Sequence, residues 1–243
     1  MNQELKQLLL DKGASMAGFA RLEGLYSKIE LEGAGSEDSM IEPFDIPQYP
    51  YGVSIVLSYN RDIIKNIKDQ PTMDYYNAYH ELNAKLDELA IICAEYIKKR
   101  GYNAYPQTVS ATKEFGVFRT VMPHKTVAVM AGLGWIGKSA LFITQEYGSA
   151  VRLTSVLTDA PLDYNKSIIY SKCGSCMLCV EACPGKAISG RTWSPELDRD
   201  DFFDAIACRK KAREIAANAL NKEITLCGKC IEVCPYTKSY TLV

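Results

Sequence analysis

The sequence contains the stretch Cys173-Gly-Ser-Cys176-Met-Leu-Cys179-Val-Glu-Ala-Cys183-Pro184, in which four cysteines follow the spacing C-x2-C-x2-C-x3-C-P. In bacterial ferredoxins, the first three thiolates of such a run bind one [4Fe–4S] cluster, and the fourth binds another. Zinc sites instead favour two separated C-x2-C pairs or histidine partners, and they do not need the third cysteine or the C-P ending. The run therefore predicts an iron–sulfur domain that contains a second cluster.

A second run, Cys227-Gly-Lys-Cys230-Ile-Glu-Val-Cys234-Pro235, repeats the last three cysteines of the first run 51 residues further along the chain. The same shift places Cys173 on Ile224, which cannot bind iron, so Cys208 is predicted to supply the missing ligand. The alternative for Cys208 is a buried thiol in a predicted helix over 200–220. The predicted ligand sets are Cys173, Cys176, Cys179 and Cys234 for one cluster and Cys183, Cys208, Cys227 and Cys230 for the other.

The composition supports metal binding and excludes several other classes of protein. Of the 9 cysteines, only Cys93 lies outside the two runs and Cys208, and no secretory signal points to a disulfide framework. A hydrophobic content of 47% excludes a disordered chain, and a net charge of -1 gives no support to nucleic-acid binding. No apolar run is long enough to span a membrane, so we expect a cytoplasmic protein without a membrane partner.

The sequence before the cysteine runs has mixed helix and strand patterns. The predicted elements are helices over 3–12 and 82–100 and strands over 51–59 and 150–158. Cys93 lies on the apolar stripe of the second helix, which favours a core thiol. We therefore predict an α+β protein with an α/β domain over 1–165 and an iron–sulfur domain over 166–243.

A glycine block, Gly132-Leu-Gly134-Trp-Ile-Gly137-Lys138-Ser139, matches two nucleotide-binding patterns in its letters. Both patterns need a strand before the loop and a helix after it, so that backbone N–H groups face the phosphates. The following residues do not form a convincing helix pattern, and the bulky Trp135 argues against close wrapping of a phosphate. A nucleotide-driven factor that uses Lys138 is kept only as a third hypothesis.

The segment AGLGWIGKSALFITQEYGSAVRLTSVLTD, the two cysteine runs and the isolated Cys208 occur in an order that resembles the epoxyqueuosine reductases and their relatives, the corrinoid-dependent reductive dehalogenases. The resemblance implies a nitroreductase-like α/β domain that holds cobalamin, followed by a ferredoxin-like domain with two [4Fe–4S] clusters. It also places the glycine block beside the corrinoid. The implied cofactor-binding residues are Gly134, Trp135, Gly137 and Lys138.

The chain departs from the family at the proton donor. The catalytic aspartate of the family, in an Arg-Asp-Tyr-His context, corresponds to Ala78 in Asn77-Ala78-Tyr79-His80, and alanine cannot donate a proton. His80 and Tyr79 are the candidate replacements, because imidazole titrates near neutral pH and a phenol can donate a hydrogen bond. His124 lacks the pattern by which histidine binds cobalt in other corrinoid proteins, and we predict a structural role for it.

The predicted function is an iron–sulfur oxidoreductase that passes electrons through two clusters to a bound corrinoid and reduces an unidentified substrate. The alternative is a two-cluster electron-transfer protein that serves a partner and has no substrate chemistry of its own. The expected partners are an electron donor such as a ferredoxin or flavodoxin, and either a small-molecule substrate or a partner corrinoid protein. The epoxyqueuosine reductases extend into helical repeats associated with tRNA, whereas this sequence ends nine residues after Cys234, so a nucleic-acid partner is not expected.

Overall fold

A computed structural model describes residues 1–25, 49–108, 118–120 and 122–242. The chain forms two compact units, each built from separate segments. The unit that we call the sheet unit comprises Met1–Leu57, Ala84–Leu133 and Leu153–Ser167, and the cysteine unit comprises Ser58–Asn83, Gly134–Arg152 and Ile168–Val243. The linear division into 1–165 and 166–243 stays a prediction, and the compact units interleave along the chain.

The sheet unit is built on four strands in the order β1-β2-β6-β3. They are β1 (Met16–Arg21), β2 (Tyr51–Ser58), β3 (Ala104–Pro106) and β6 (Val151–Thr158), and β1–β2 and β3–β6 pair antiparallel. Strand β2 is buried from Gly52 to Leu57, as expected for a central strand of β-branched and apolar residues. The predicted strands over 51–59 and 150–158 therefore match β2 and β6 to within one residue.

Two helices of the sheet unit pack apolar side chains into its core. Helix α1 (Asn2–Asp11) buries Leu5 and Leu9, and α4 (His124–Met130) buries Val127, Ala128 and Val129. The His124 Nδ1 atom forms a 2.8 Å hydrogen bond with the Ser155 hydroxyl, which is consistent with the structural role predicted for this histidine.

The long helix α3 (Met73–Lys98) begins nine residues before the predicted start at 82. The Thr72 hydroxyl accepts a hydrogen bond from the Tyr75 backbone N–H at 3.2 Å, as an N-terminal cap does. The apolar stripe also continues backwards through Ala78 and Tyr75, at the three- and four-residue spacings of a helix. Cys93 is fully buried on this stripe, and burial raises the pKa of its thiol.

The cysteine unit combines short helices with a small hairpin. Its helices are α2 (Arg61–Lys65), α5 (Leu178–Ala182), α6 (Ala205–Leu220), α7 (Lys229–Glu232) and α8 (Pro235–Leu242), together with the first part of α3. The hairpin pairs β4 (Trp135–Ile136) with β5 (Phe142–Ile143). An apolar cluster that includes Tyr59, Ile67, Tyr75, Leu226 and Ile231 forms the core of this unit.

The glycine block does not have the strand–loop–helix geometry that a phosphate loop needs. Helix α4 precedes the block, and the hairpin β4–β5 contains its second half, so the block does not connect a strand to a helix.

Among the described residues, no helix has both the length and the apolar character needed to cross a membrane.

Candidate metal centre

The two cysteine runs form tight turns that present several thiols from a short stretch of backbone. In the first run, the Cys176 N–H donates to the Cys173 carbonyl at 3.1 Å, and Gly174 between them has a φ of +52°. In the second run, Gly228 follows Cys227 with a φ of +83°. Glycine tolerates such left-handed backbone without steric cost, which explains its place directly after the first cysteine of each turn.

The first group of thiols surrounds one cavity. Cys173, Cys176 and Cys179 line it from the first run, and Cys234 lines it from the end of the second. Burial, together with the neighbouring thiols of Cys173, Cys234 and Cys176, raises the pKa of Cys179 to about 11. The structure thus brings together the four cysteines predicted for one cluster.

The second group gathers around the start of α6. The Asp204 carboxylate caps this helix by accepting from the Ala207 N–H at 2.8 Å, which places Cys208 in the first turn. Burial and the nearby thiols of Cys183 and Cys227 raise the pKa of Cys208 to about 11. Cys208 therefore lies beside thiols from both runs.

Cys230 completes the second group and also lies next to the first. Its pKa is raised well above the ordinary value by burial, and then by the thiols of Cys227, Cys208, Cys179 and Cys183. Cys230 also appears on the wall of the first cavity. The two groups therefore adjoin at Cys179 and Cys230, the arrangement that short-range electron transfer between two centres requires.

Backbone N–H groups point at several of the sulfur atoms. The Ala187 N–H donates to Cys183 Sγ at 3.4 Å. Burial raises the pKa of Cys234, and hydrogen bonds from the N–H groups of Tyr236 and Thr237 lower it and so partly offset this effect. Such hydrogen bonds stabilise thiolates and influence the reduction potential of iron–sulfur clusters.

The thiols surround a space rather than a point. Across 1–25, 49–108, 118–120 and 122–242, no three His, Cys, Asp or Glu side chains converge as a single metal ion would require. The first four cysteines instead line a cavity, and in a [4Fe–4S] cube each thiolate binds a different iron atom.

The end of the glycine block, at Lys138 and Ser139, lines the first cavity. Gly134 is required where it stands, because a Cβ there would lie 2.1 Å from the Ile143 carbonyl oxygen across the hairpin. A Cβ on Gly137 would lie 3.4 Å from Cys173 Sγ. Trp135 is buried and packs edge-on against Tyr236, with 4.9 Å between the ring centroids.

The sequence pattern does not predict the position of Lys138, which lies beside the cysteines. It lines the first cavity, and its ammonium donates to the Cys176 carbonyl at 3.1 Å. The four residues predicted to bind a corrinoid therefore lie at or next to the wall of the cysteine cavity. A contact between them and a corrinoid stays a prediction.

Tyr79 and His80 lie on α3, and neither lines the cysteine cavity. The Arg152 guanidinium lies 4.3 Å from the Tyr79 ring centroid and donates two hydrogen bonds to Asn83 Oδ1, at 2.9 and 2.6 Å. His80 is exposed, and its ring packs against Tyr76 and Tyr79. Ala78 is buried in the apolar cluster of the cysteine unit.

Sequence reasoning missed Arg152. The available signal was an arginine at the second position of β6, an otherwise apolar and hydroxyl-bearing strand. A charged side chain at such a position needs a partner, and Tyr79 and Asn83 supply it.

Comparisons with known proteins agree with this site. Residues 172–237 match the family described as a 4Fe-4S double cluster binding domain. An epoxyqueuosine reductase of Lactococcus garvieae (strain Lg2) is 30% identical over 167 residues, which cover 66% of this chain and 42% of the relative. The tetrachloroethene reductive dehalogenase of Sulfurospirillum multivorans is 32% identical over 155 residues, which cover 59% of this chain and 27% of that protein.

The fold is also similar to a solved reductive dehalogenase structure that is described as suggesting a mechanism for B12-dependent dehalogenation. The TM-score is 0.70 at 18% identity, over 95% of this chain and 31% of that one. The similarity confirms the predicted α+β fold class. The chain spans less than half the length of both curated relatives described above. Together, the two-cluster domain, the relatives and the shared fold confirm the resemblance seen in the sequence: the chain is similar to the iron–sulfur epoxyqueuosine reductases and reductive dehalogenases.

Proposed function

We propose that the protein is an oxidoreductase that passes electrons through two [4Fe–4S] clusters to a bound corrinoid, which reduces a substrate. The observation that carries the proposal is the gathering of eight cysteines into two adjoining groups of four. An external donor such as a ferredoxin or flavodoxin would supply the electrons.

The donor atoms fit the two clusters. Cys173, Cys176, Cys179 and Cys234 would hold one cluster, and Cys183, Cys208, Cys227 and Cys230 would hold the other. Each set combines thiols from both runs, as in the ligand exchange of two-cluster ferredoxins. When bound, the clusters supply one-electron transfer, and the protein supplies the ligands, the N–H donors at Cys183 and Cys234 and a buried setting.

The corrinoid part of the proposal is supported by similarity. The structural relative is described as B12-dependent, and when bound, a corrinoid supplies a strongly reducing metal centre. The role of the chain itself would be to place a proton donor near the substrate.

The contacts of Tyr79 favour it over His80 as that donor. The Arg152 guanidinium would place a fixed positive charge beside the phenol during the reaction. Arg152 is fixed in this place by its two hydrogen bonds to Asn83, whereas His80 is exposed and has only ring contacts among the described residues.

One observation favours the alternative function, a two-cluster electron carrier that serves a partner corrinoid protein. Ala78 occupies the acid position of the family and lies in an apolar core, so this position supplies no proton. A carrier needs no proton donor, and only the two clusters and a docking partner would be required.

Anaerobic reconstitution of the full chain with iron, sulfide and cobalamin distinguishes the two functions. We expect iron and sulfide for two clusters and cobalt that stays with the protein through gel filtration, with a visible spectrum that changes to that of Co(I) on addition of a strong chemical reductant. Two clusters without retained cobalt would support the carrier, and a protein without clusters would contradict both functions.

A further inference from the structure

The Lys138 side chain lies inside the protein, at the wall of the first cysteine cavity. It is 4% exposed and faces the cavity together with Cys173, Cys176, Cys179 and Cys234. Lysine is almost never buried to this extent unless its charge is paired. Its ammonium therefore requires a counter-charge.

The direct partners of Lys138 are neutral. Its Nζ donates to the Cys176 carbonyl oxygen at 3.1 Å and lies 3.5 Å from the Met177 sulfur. Within the part of the chain that the structure describes, no carboxylate forms an ion pair with it. A carbonyl and a thioether orient a buried ammonium but do not neutralise it.

We propose that the counter-charge of Lys138 is the [4Fe–4S] cluster held by Cys173, Cys176, Cys179 and Cys234, and that the ammonium raises the reduction potential of this cluster. The inference rests on the proposed function, because it needs that cluster. Four thiolates leave the cluster anionic, and one-electron reduction adds a further negative charge. A fixed cation in a buried, low-dielectric setting therefore favours the reduced state.

The second cluster lacks an equivalent uncompensated cation in the second run. Lys229, next to Cys230, forms ion pairs with Asp69 at 3.3 Å and Glu232 at 3.4 Å. Its charge is therefore offset within the protein. The two clusters become electrostatically different, and the charge of Lys138 acts mainly on the first.

This role also accounts for the lysine of the glycine block. The hairpin β4–β5 turns the side chain toward the cysteines, and the Cys176 carbonyl holds the ammonium at the ligand loop. The residue that looks like a phosphate-binding lysine in the sequence would thus serve an anionic metal cluster instead of a nucleotide.

The test is a redox titration of the anaerobically reconstituted full chain, followed by electron paramagnetic resonance. The variants are Lys138→Met, which removes the charge and keeps the length, and Lys138→Arg, which keeps the charge. Lys85→Met serves as the matched control, because Lys85 is a surface lysine of α3 paired with Glu88 at 2.9 Å.

We expect Lys138→Met to reduce the equilibrium constant for reduction of one cluster at least tenfold. For a one-electron couple, this corresponds to a midpoint potential about 59 mV lower. The other cluster should shift much less, Lys138→Arg should stay close to the unchanged protein, and Lys85→Met should shift neither cluster. In a Cys208→Ala background, which is expected to keep the first cluster, the remaining signal should carry the shift.

Unchanged potentials in Lys138→Met with full iron content would overturn the inference. If Lys138→Met loses the iron of one cluster while Lys138→Arg retains it, the charge is needed for assembly, which supports the inference. Equal loss of iron in both variants would show that Lys138 acts through its size and packing and not through its charge, which would overturn the inference. Absence of clusters from the unchanged protein would contradict the proposed function itself, and iron analysis detects that case before any titration.

Discussion

Cys208 and Cys93 both lie on helices, yet the fold gives the two thiols different surroundings. Cys208 has the thiols of Cys183 and Cys227 as neighbours, whereas burial alone raises the pKa of Cys93. We therefore expect Cys208→Ala to lose one cluster preferentially and Cys93→Ala to lose neither. Iron and sulfide analysis after reconstitution measures this, with Cys93→Ala as the control. Equal iron content in Cys208→Ala and the unchanged protein would refute the ligand assignment.

At the residue scale, the spacing of the cysteines predicts two ligand sets, whereas it does not predict which other side chains lie beside them. The spacing of thiolates in a cluster loop is imposed by local geometry, so the sequence alone allowed both ligand sets to be written down. The position of Lys138 at the Cys176 carbonyl depends on how a hairpin packs on a loop 38 residues away. The stacking of Arg152 on Tyr79 likewise depends on packing between a strand and a helix. Local patterns carry no information about such contacts.

At the scale of elements, the two cysteine turns provide a matched pair of glycines. Both Gly174 and Gly228 have left-handed backbone, which costs a non-glycine residue about 1–3 kcal/mol. A Cβ on Gly174 meets nothing within 4 Å, whereas one on Gly228 would lie 2.9 Å from Ile67 Cδ1 and 3.0 Å from Tyr75 Cε1. We expect Gly228→Ala to add an overpacking cost of about 1–3 kcal/mol to this strain.

Thermal unfolding of the reconstituted protein without oxygen compares the two variants. Each kcal/mol corresponds to about 2–4 °C in Tm for a chain of this size, so Gly228→Ala should melt several degrees below Gly174→Ala. Equal Tm values would show that the backbone alone determines the cost and that the contact of the turn with α3 adds nothing.

Element boundaries show where sequence patterns lose their power. Strands β2 and β6 were predictable because buried runs of β-formers are distinctive. The start of α3 was not, because Tyr75 and Ala78 continue its apolar stripe through a segment whose polar residues obscure the period. The hairpin β4–β5 was missed because its strands are only two residues long and depend on packing in the cysteine unit.

At the scale of the whole molecule, the compact units do not follow the order of the sequence. The cysteine unit includes 58–83 and 134–152, so residues 134–139 of the glycine block and the start of α3 belong to the same unit as the cysteine runs. The sequence pattern predicts a division in the loop after residue 158, because the cysteine-rich part of the chain begins beyond that loop. The contacts that join distant segments leave no such mark, and for this reason the linear domains and the compact units differ.

The last prediction concerns the reaction of the relatives. We expect this chain to fail, or nearly fail, to reduce epoxyqueuosine in tRNA, while Co(I) formation with a strong chemical reductant remains intact in the cobalamin-loaded protein. The net charge of -1 offers little attraction for tRNA phosphates. Ala78, which the resemblance places at the acid position of the family, lies in an apolar core. A positioned general acid contributes about 10²–10⁴-fold in rate.

The measurement compares the unchanged protein with Ala78→Asp, Tyr79→Phe and His80→Gln on the same tRNA, under identical reducing conditions. Because the Ala78 site is apolar, a carboxylic acid there should have a raised pKa, and its burial should also lower the stability of the fold. Ala78→Asp is therefore scored only in protein with full iron content. Efficient turnover by the unchanged protein would contradict the prediction. If turnover were then lost in Tyr79→Phe but not in His80→Gln, the Tyr79 phenol, beside Arg152, would be identified as the proton donor.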